Sequence, residues 1–301
     1  MKILVTGSNG FIGSNVCKYL KQQGCTVVGL DLREEAAAHS PVDAYIQCDL
    51  SSEAGDHIFD EIQVDAVVHL ASDMRHDCAK NEIEVVGHNC VGFQRLVAAC
   101  EAKKVPVLVQ LSSLPVIGRP VEHPITEKHP IKPPTVYHAT KYMQEVLANY
   151  AWYTHGLRTA SFRICAPVGV GMNQKTIFPI FVRKALMGED IVLYGTGSRQ
   201  QTYVHVDDIS QALYKAILSD KAQGVYNLGS YNQMSNKELA EKCVEVLGSS
   251  SKIVFNGQED PQDQDIWDLS LERIKADTGY EPVVSIEYAI REQAEVLKKQ
   301  M

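Results

Sequence analysis

Apolar runs alternate with amphipathic segments through the first half of the chain. Short apolar runs predict strands at 2–6, 26–31, 45–48, 66–70, 107–111 and 159–165. Apolar residues at helical spacing predict helices at 11–23, 82–103 and 137–154. Strands that are apolar throughout and separated by helices are typical of a parallel sheet covered on both faces. The pattern therefore predicts an α/β fold with a doubly wound parallel sheet.

The regular alternation ends near residue 167. Proline, glycine and polar residues interrupt the later segments APVGVGMNQ, YGTGSRQQT and FNGQEDPQDQD, and the clearest late helix is predicted at 285–299. We predict a first domain over 1–167 and a smaller, irregular α/β lobe over 168–301. Residues 203–220 contain a helical pattern that would allow this segment to pack back on the first domain.

Composition narrows the class of protein. The chain has 301 residues, of which 45% are hydrophobic and 22% charged, so it is long enough to bury a core without disulfides or metals. Its net charge of −8 argues against a general nucleic-acid binder, which needs a basic face. The N-terminus lacks a signal-peptide pattern, and no stretch is apolar enough to predict a membrane-spanning helix. Eight cysteines without a CxxC pair are typical of small buried hydrophobes, so we expect a reduced, cytoplasmic protein.

The first predicted strand leads directly into a glycine-rich turn. Gly7, Gly10 and Gly13 of TGSNGFIG permit a tight turn, close approach of a pyrophosphate and close helix–strand packing. The helix that follows offers free N–H groups and a positive dipole end to phosphate. Asp31 ends the second strand, where a carboxylate binds ribose hydroxyls and repels the 2′-phosphate of NADP. We predict a Rossmann-type site for NAD, a preference over NADP that Arg33 weakens; the alternative is a purely structural strand–turn–helix.

A tyrosine and a lysine share one face of the third long helix. Tyr137 and Lys141, in YHATK, are four residues apart. A phenol pKa of about 10 is too high for a base at neutral pH, and a nearby ammonium lowers it by up to about three units. Ser112 and Ser113 follow the fifth strand, at the sheet edge where ligands bind in such folds. The set predicts proton transfer near neutrality; the alternatives are a solvated helix face and a serine turn that only ends a strand.

Further motifs extend along the chain. They are GSNGFIG, Asp49 with Leu50, HLAS, HNCVG, SSLPVIG, YHATK, Arg163 with Pro167 and Gly169, and YGTGSRQQTYVHVDDI. Over nearly its whole length the chain therefore resembles the extended short-chain dehydrogenase/reductase family, and within it the NAD-dependent sugar-nucleotide epimerases and dehydratases. The resemblance implies that Ser113, Tyr137 and Lys141 are catalytic. Tyr137 would be the acid/base, and Lys141 would hold the nicotinamide ribose and lower the tyrosine pKa.

Binding residues are predicted from the same motifs. For NAD they are Gly7, Asn9, Gly10, Phe11, Ile12, Gly13, Asp31, Leu32, Arg33, Asp49, Leu50, Leu70, Ala71, Ser72, Asn89, Ser112, Tyr137, Lys141, Ala166 and Val168. For the substrate they are Arg75, Ser113, Tyr137, Arg199 and Gln201. The stretch HLASDMRHDC, which includes His76, Asp77 and Cys78, has a metal-like composition, but its spacing matches no standard site and no metal is expected.

Departures from the family pattern bear on the substrate. Leu114 and Pro115 replace the Asp-Glu pair of the 4,6-dehydratases and cannot transfer protons, and no cysteine follows Ser113 as in the fucose-synthase-like enzymes. Ala166 stands in place of a common substrate-binding asparagine. Gln201 replaces an arginine that grips the nucleotide diphosphate, and a neutral amide is a poor substitute for a guanidinium. Either Arg199 or another cation takes over this role, or the substrate is not a sugar nucleotide.

The resemblance implies oxidation and re-reduction of a secondary alcohol, with epimerisation of a nucleotide-activated sugar as the leading expectation. The alternatives are a net NAD(P)-dependent dehydrogenase or reductase of a keto-sugar or non-nucleotide alcohol, and a non-catalytic NAD-binding sensor. Family members often dimerise through the helices equivalent to 82–103 and 137–154, so we expect a homodimer; the alternative is that both helices only cover the sheet. His138 is expected to point away from the site.

Overall fold

The computed structural model describes residues 1–75 and 79–300. Its strands are β1 (Lys2–Thr6), β2 (Thr26–Asp31), β3 (Ala44–Gln47), β4 (Ala66–His69), β5 (Val107–Ser113), β6 (Arg158–Ile164), β7 (Ala166–Val168), β8 (Ile191–Leu193), β9 (Gln200–His205), β10 (Gly224–Leu228), β11 (Asn232–Ser235) and β12 (Ile253–Phe255). Its α-helices are α1 (Phe11–Gln22), α2 (Ala79–Val86), α3 (Gly92–Ala102), α4 (Val136–His155), α5 (Ile177–Met187), α6 (Val206–Leu218), α7 (Asn236–Leu247), α8 (Glu272–Thr278) and α9 (Ile286–Lys298). Each strand predicted in the first half is present, with ends within about two residues of the prediction.

Seven strands form one sheet, in the order β10-β6-β5-β4-β1-β2-β3. Every neighbouring pair is parallel. The strand order reverses at β1, and in open α/β sheets ligands bind at such a point, beyond the carboxyl ends of the strands. The glycine-rich turn follows β1 and therefore lies there. The predicted α/β fold with a Rossmann-type parallel sheet is confirmed.

The sheet is buried on both faces. Ile3 and Val5 of β1 pack in one core with side chains of α1 and α6, whereas Leu4 packs in a second core with side chains of α3 and α4. Successive residues of a strand point to opposite faces, so a strand covered on both sides must be apolar throughout. This explains the unbroken apolar runs in the sequence.

The seventh strand of this sheet comes from the second half of the chain. β10 pairs with β6, and Tyr226 of β10 stacks on Phe162 of β6 with ring centroids 5.4 Å apart. The sequence had placed residues 224–228 in the smaller lobe. α6 packs against α1, so this segment also belongs beside the main sheet. The domain boundary at 167 stays a prediction, but the main sheet needs residues from beyond it.

The smaller lobe surrounds a third core. β7, β9 and β11 form one sheet, β8 and β12 another, and α5, α7 and α9 pack around apolar side chains that include Phe178 and Leu239. The lobe is fastened to α6 by the Asp208 carboxylate. It accepts hydrogen bonds from the backbone N–H groups of Val283 at 3.0 Å and Val284 at 3.2 Å, just before α9.

The helical stretch predicted at 82–103 is present, but it is not α-helical throughout. A π-helical turn, Gly87–Val91, separates α2 from α3. Asn89 in this turn is buried; its side chain bonds to the backbone N–H and C=O of Asp73, both at 2.8 Å, and to the Thr140 hydroxyl at 2.9 Å. Such wide turns are rare and often occur at functional sites. Hydrophobic spacing does not reveal one inserted residue, so the sequence predicted a single helix.

Buried thiols match the expectation from the sequence. In the part of the chain that the structure describes, six cysteines are buried, namely Cys17, Cys25, Cys48, Cys100, Cys165 and Cys243. Burial raises the thiol pKa of Cys17 and of Cys165 to about 12, so these thiols are protonated and unreactive at neutral pH. Among residues 1–75 and 79–300, no helix has the length and apolar character needed to cross a membrane.

Candidate active site

The turn after β1 allows a ligand to approach the backbone closely. Gly7 has φ +69°, and a Cβ on it would lie 2.7 Å from the backbone nitrogen of Ala71. A Cβ on Gly13 would lie 2.0 Å from the carbonyl oxygen of Gly7. α1 begins after Gly10 with no capping side chain and no acidic residue in its first turn. Its first N–H groups are thus left for an anionic ligand.

Asp31 is held against this turn. Its Oδ2 accepts the backbone N–H of Asn9 at 3.0 Å. The Asn9 side chain donates to the carbonyl of Glu35 at 2.9 Å and to the Tyr45 hydroxyl at 3.0 Å, and it accepts the Ala37 N–H at 2.8 Å. Asn9 thus anchors the loop between β2 and β3 to the glycine turn. It also lines the first cavity, and its predicted contact with the cofactor stays a prediction.

Two cavities meet at the glycine turn. The first, of about 470 Å³, includes these predicted residues in its lining: Gly7, Asn9, Gly10, Asp31, Leu32, Arg33, Asp49, Leu50, Leu70, Ala71, Ser72, Arg75 and Asn89. The second, of about 760 Å³, includes these: Gly7, Gly10, Phe11, Ile12, Gly13, Leu70, Ser72, Ser112, Ser113, Tyr137, Lys141, Ala166, Val168, Arg199 and Gln201. All the predicted site residues thus line one cavity or both, and the catalytic candidates share the second with part of the glycine turn.

The first turns of α4 carry Tyr137 and Lys141. The Thr135 side chain caps the helix by accepting the His138 N–H at 3.3 Å. Lys141 is buried, and its ammonium donates to the carbonyl of Leu111 at 3.0 Å and to Oε1 of Gln144 at 3.1 Å. The lysine therefore joins α4 to the end of β5, beside Ser112 and Ser113.

The two serines at the end of β5 differ in their surroundings. Ser112 is buried, and its hydroxyl donates to Oε1 of Glu145 at 2.6 Å. That carboxylate also forms a two-pronged ion pair with Arg163, at 2.9 and 2.7 Å. The Ser113 hydroxyl makes no side-chain hydrogen bond with any of residues 1–75 and 79–300, and the residue lines the second cavity. Ser113 is therefore the serine whose hydroxyl is available to a ligand.

Burial dominates the protonation of the tyrosine–lysine pair. It raises the pKa of Tyr137 to about 12, and a hydrogen bond with Ser72 opposes this only partly. It lowers the pKa of Lys141 to about 8, and electrostatic interactions with Cys90 and Glu145 oppose this only partly. The sequence argument expected the lysine to lower the tyrosine pKa. Without cofactor the pKa of Tyr137 is raised instead, because the loss of hydration on burial is larger than the interactions that lower it.

The far end of the second cavity carries two arginines. Arg119 donates to Oδ1 of Asp265 at 2.6 and 2.9 Å, so its charge is already paired. Arg199 forms no ion pair with residues 1–75 and 79–300, and its buried Nε lacks a hydrogen-bond partner there. Gln201 lines the same cavity. Of these two arginines, Arg199 is therefore the one without an ion pair in the described part of the chain, and it lies two residues before Gln201.

Arg75 lies in the loop after β4, as the sequence predicted. It borders the first cavity and pairs with Asp73 at 2.5 Å and with Glu84 at 2.9 Å. Its predicted contact with substrate stays a prediction. His76, Asp77 and Cys78 of the metal-like stretch lie outside the described residues.

Several residues of the second cavity were not predicted from the sequence. His138 lines it, contrary to the expectation that this side chain points away, and its ring lies 5.0 Å from that of Tyr137. Arg119, Asp265 and Trp267 line it as well. Arg119 directly follows the SSLPVIG motif, which was an available signal. Asp265 is 146 residues away from it along the chain, and no local pattern indicates that pairing.

Comparison with known proteins agrees with this geometry. A model of the NAD dependent epimerase/dehydratase family matches residues 3–229. The low-salt glycan biosynthesis protein Agl12 of Haloferax volcanii is 30% identical over 300 residues, which cover 95% of each chain. A UDP-glucose 4-epimerase of Halalkalibacterium halodurans is 30% identical over 270 residues, 82% of this chain and 81% of that one. The solved structure of a Thermus thermophilus UDP-glucose 4-epimerase in complex with NAD is 24% identical, covers 100% of both chains and has a TM-score of 0.85.

The chain belongs to the NAD-dependent epimerase/dehydratase family. The resemblance to the extended short-chain dehydrogenase/reductases is confirmed, and with it an NAD-dependent enzyme. The residues present fit this cofactor: a Cβ would fill the cradle at Gly7 and Gly13, the start of α1 is uncapped, and Asp31 lies beside the first cavity.

Proposed function

We propose that the protein epimerises a nucleotide-activated sugar through a transient ketone. The proposal rests on one observation: Ser113, Tyr137 and Lys141 line the second cavity together, and this cavity shares the glycine turn with the first. The 30% identity to a UDP-glucose 4-epimerase supports it. Leu114 and Pro115 also line this cavity, so no acidic pair follows Ser113 to assist an elimination of water.

In this proposal each side chain has a separate task. Tyr137 removes the proton of the sugar hydroxyl during oxidation and returns it during reduction. Ser113 hydrogen-bonds the same oxygen, and Lys141 holds the nicotinamide ribose and brings positive charge towards the phenol. NAD, which the glycine turn and Asp31 would hold, would supply the hydride acceptor and donor for the same carbon. Epimerisation requires that the ketone present its opposite face before it is reduced again.

The decisive experiment supplies the purified, NAD-loaded protein with UDP-, dTDP- and GDP-linked hexoses. An epimerase converts one of them to its epimer without net NADH formation, as followed by chromatography of the products and by NADH absorbance. Stoichiometric NADH would instead establish net dehydrogenation. Failure to convert any nucleotide sugar would sink the proposal and direct the search to simpler alcohols and ketones.

We propose further that Arg199 binds the diphosphate of the substrate. Charge-assisted hydrogen bonds contribute about 1.5–3 kcal/mol, so Arg199→Gln should weaken binding of the preferred nucleoside diphosphate by roughly 10- to 100-fold. Calorimetric titration of the NAD-loaded protein measures this. Arg291→Gln, an exposed arginine of α9 outside both cavities, is the matched control. Equal affinity in the two variants would exclude Arg199 from the diphosphate site.

We propose that a second copy of the chain covers the outer face of α2 and α4. Met143, Val146, Tyr150 and Tyr153 form a stripe along α4, and their exposed fractions are 45%, 44%, 55% and 83%. Ile83 and Val86 of the neighbouring α2 are exposed as well. An apolar stripe of this kind is typical of an interface.

A single charge should disrupt this dimer. Val146→Lys places an ammonium in the centre of the stripe, so the variant should sediment as a monomer where the wild type sediments as a dimer. Val283→Lys, at an exposed valine far from α4, should leave the mass unchanged. A monomeric wild type would contradict the proposal.

The buried thiols support a reducing compartment, which we propose to be the cytoplasm.

A further inference from the structure

A completely buried glutamine contacts the ammonium of Lys141. Gln144 lies one helical turn after Lys141 on α4 and is 0% exposed. Its Oε1 is 3.1 Å from the lysine Nζ, and the Leu111 carbonyl accepts a second bond at 3.0 Å. Oxygen acceptors favour the charged ammonium over the neutral amine. They therefore counteract the burial that lowers the lysine pKa.

The Gln144 amide has one satisfactory orientation. Its Nε2 donates to the backbone carbonyl of Asn89, in the π-helical turn, at 2.8 Å. Turning the amide over would place its NH2 group against the ammonium and its oxygen against that carbonyl, so two favourable bonds would become two repulsions. The π-helical turn thereby fixes the oxygen that faces Lys141.

A buried ring continues this contact towards β1. Nε2 of Gln144 lies 3.4 Å from Nε2 of His69, and Nδ1 of His69 lies 2.8 Å from the Thr6 hydroxyl. Burial lowers the His69 pKa to about 3, so this ring adds no charge at neutral pH. Thr6 ends β1, immediately before the glycine turn.

Three other titratable groups of the described residues lie around Lys141, but none of them accepts a hydrogen bond from its ammonium, whereas Oε1 of Gln144 does. Cys90 faces it from the π-helical turn, and burial raises that thiol pKa, so the thiol is neutral. Glu145 of α4 interacts with Lys141 electrostatically, but Arg163 of β6 and Ser112 bond its oxygens. Tyr137 of α4, with its raised pKa, is neutral as well.

We propose that Gln144 is a positioning residue, which fixes the Lys141 ammonium and sets the pH up to which it stays charged. The effect of Gln144 on turnover rests on the proposed catalytic role of Lys141. The effect of Gln144 on the Lys141 pKa does not depend on that role.

Two substitutions of similar volume test the coupling with opposite signs. Gln144→Met removes the acceptor and should lower the Lys141 pKa by about one unit, whereas Gln144→Glu adds a carboxylate and should raise it by about one unit. NMR titration of the cofactor-free protein with carbon-13-labelled lysine measures this directly. The resonance that is missing in Lys141→Met assigns the signal.

A buried glutamine elsewhere serves as the control. Gln293 of α9 is 1% exposed and bonds to Gln174, so Gln293→Met and Gln293→Glu should leave the Lys141 titration unchanged. An unchanged titration in folded Gln144 variants would overturn the proposal. If Gln144→Met does not fold, Gln144→Glu decides alone, because only direct coupling raises the lysine pKa.

The pH dependence of activity is a second measurement, in which the two variants should shift the profile in opposite directions. A required ammonium is lost as the pH rises through its pKa, so the alkaline limb of kcat/KM should move to lower pH in Gln144→Met and to higher pH in Gln144→Glu. If the Lys141 titration shifts in the Gln144 variants but the pH profile of kcat/KM does not, the coupling between Gln144 and Lys141 is supported and the role of Lys141 in turnover is refuted. The two proposals therefore fail separately.

Discussion

Tyr137→Phe is expected to lower kcat by about 10²- to 10⁴-fold, the usual contribution of a positioned general acid or base. Phenylalanine keeps the ring that packs beside His138 and removes only the hydroxyl. The variant should therefore bind NAD as the wild type does, which fluorescence titration checks, while steady-state kinetics measures the loss in turnover.

The position of the tyrosine makes this effect specific. Tyr150→Phe removes a hydroxyl from an exposed tyrosine of the same helix, outside both cavities, and should leave kcat unchanged. Near-wild-type turnover in Tyr137→Phe would refute both epimerisation and net redox chemistry by this site. Burial holds the phenol pKa near 12 in the absence of cofactor. Proton transfer at neutral pH thus depends on positive charge brought to the phenol.

Glu145→Ala is expected to destabilise the fold by about 3–5 kcal/mol, because it leaves Arg163 buried without its partner. The side chains of Glu145 and Arg163 are 1% and 4% exposed. The substitution also removes the acceptor of the Ser112 hydroxyl. Urea denaturation of wild type and variant measures the difference in the free energy of unfolding.

Two further variants show how much of the destabilisation comes from burial of the ion pair and how much from the unpaired charge. Glu245→Ala breaks an exposed pair with Lys242 and should cost at most about 1 kcal/mol. Replacing Glu145 and Arg163 together by leucine should cost less than Glu145→Ala alone, because no charge is then left unpaired. A cost below about 1 kcal/mol for Glu145→Ala would show that water reaches Arg163 in the variant.

Local patterns in the sequence were sufficient to predict the cofactor side of the molecule. Gly7, Gly13 and Asp31 lie in consecutive elements whose geometry follows from chain direction alone. Tyr137 and Lys141 are one turn apart on a helix, and the carboxyl end of β5 lies beside them. Each of these relations involves neighbours along the chain or the common edge of a parallel sheet.

Long-range contacts and buried polar bonds were not predictable in the same way. Arg119 meets Asp265 through loops whose paths no periodicity describes. The π-helical turn changes the direction of Asn89 without disturbing the apolar pattern. Gln144 looks like an ordinary polar residue of an amphipathic helix, and only the packed structure shows that it is buried against Lys141.

The late position of β10 has a consequence for biosynthesis. Until residues 224–228 have been synthesised and have left the ribosome, β6 is the outer strand of an incomplete sheet, with one row of backbone N–H and C=O groups unpaired. An open edge of this kind is a template for pairing with other nascent chains. The first domain predicted at 1–167 therefore does not contain the whole sheet, and any part of it that folds earlier keeps this open edge. Just over three quarters of the polypeptide must emerge before the last strand of the sheet is available, and the family match over 3–229 ends just after this strand.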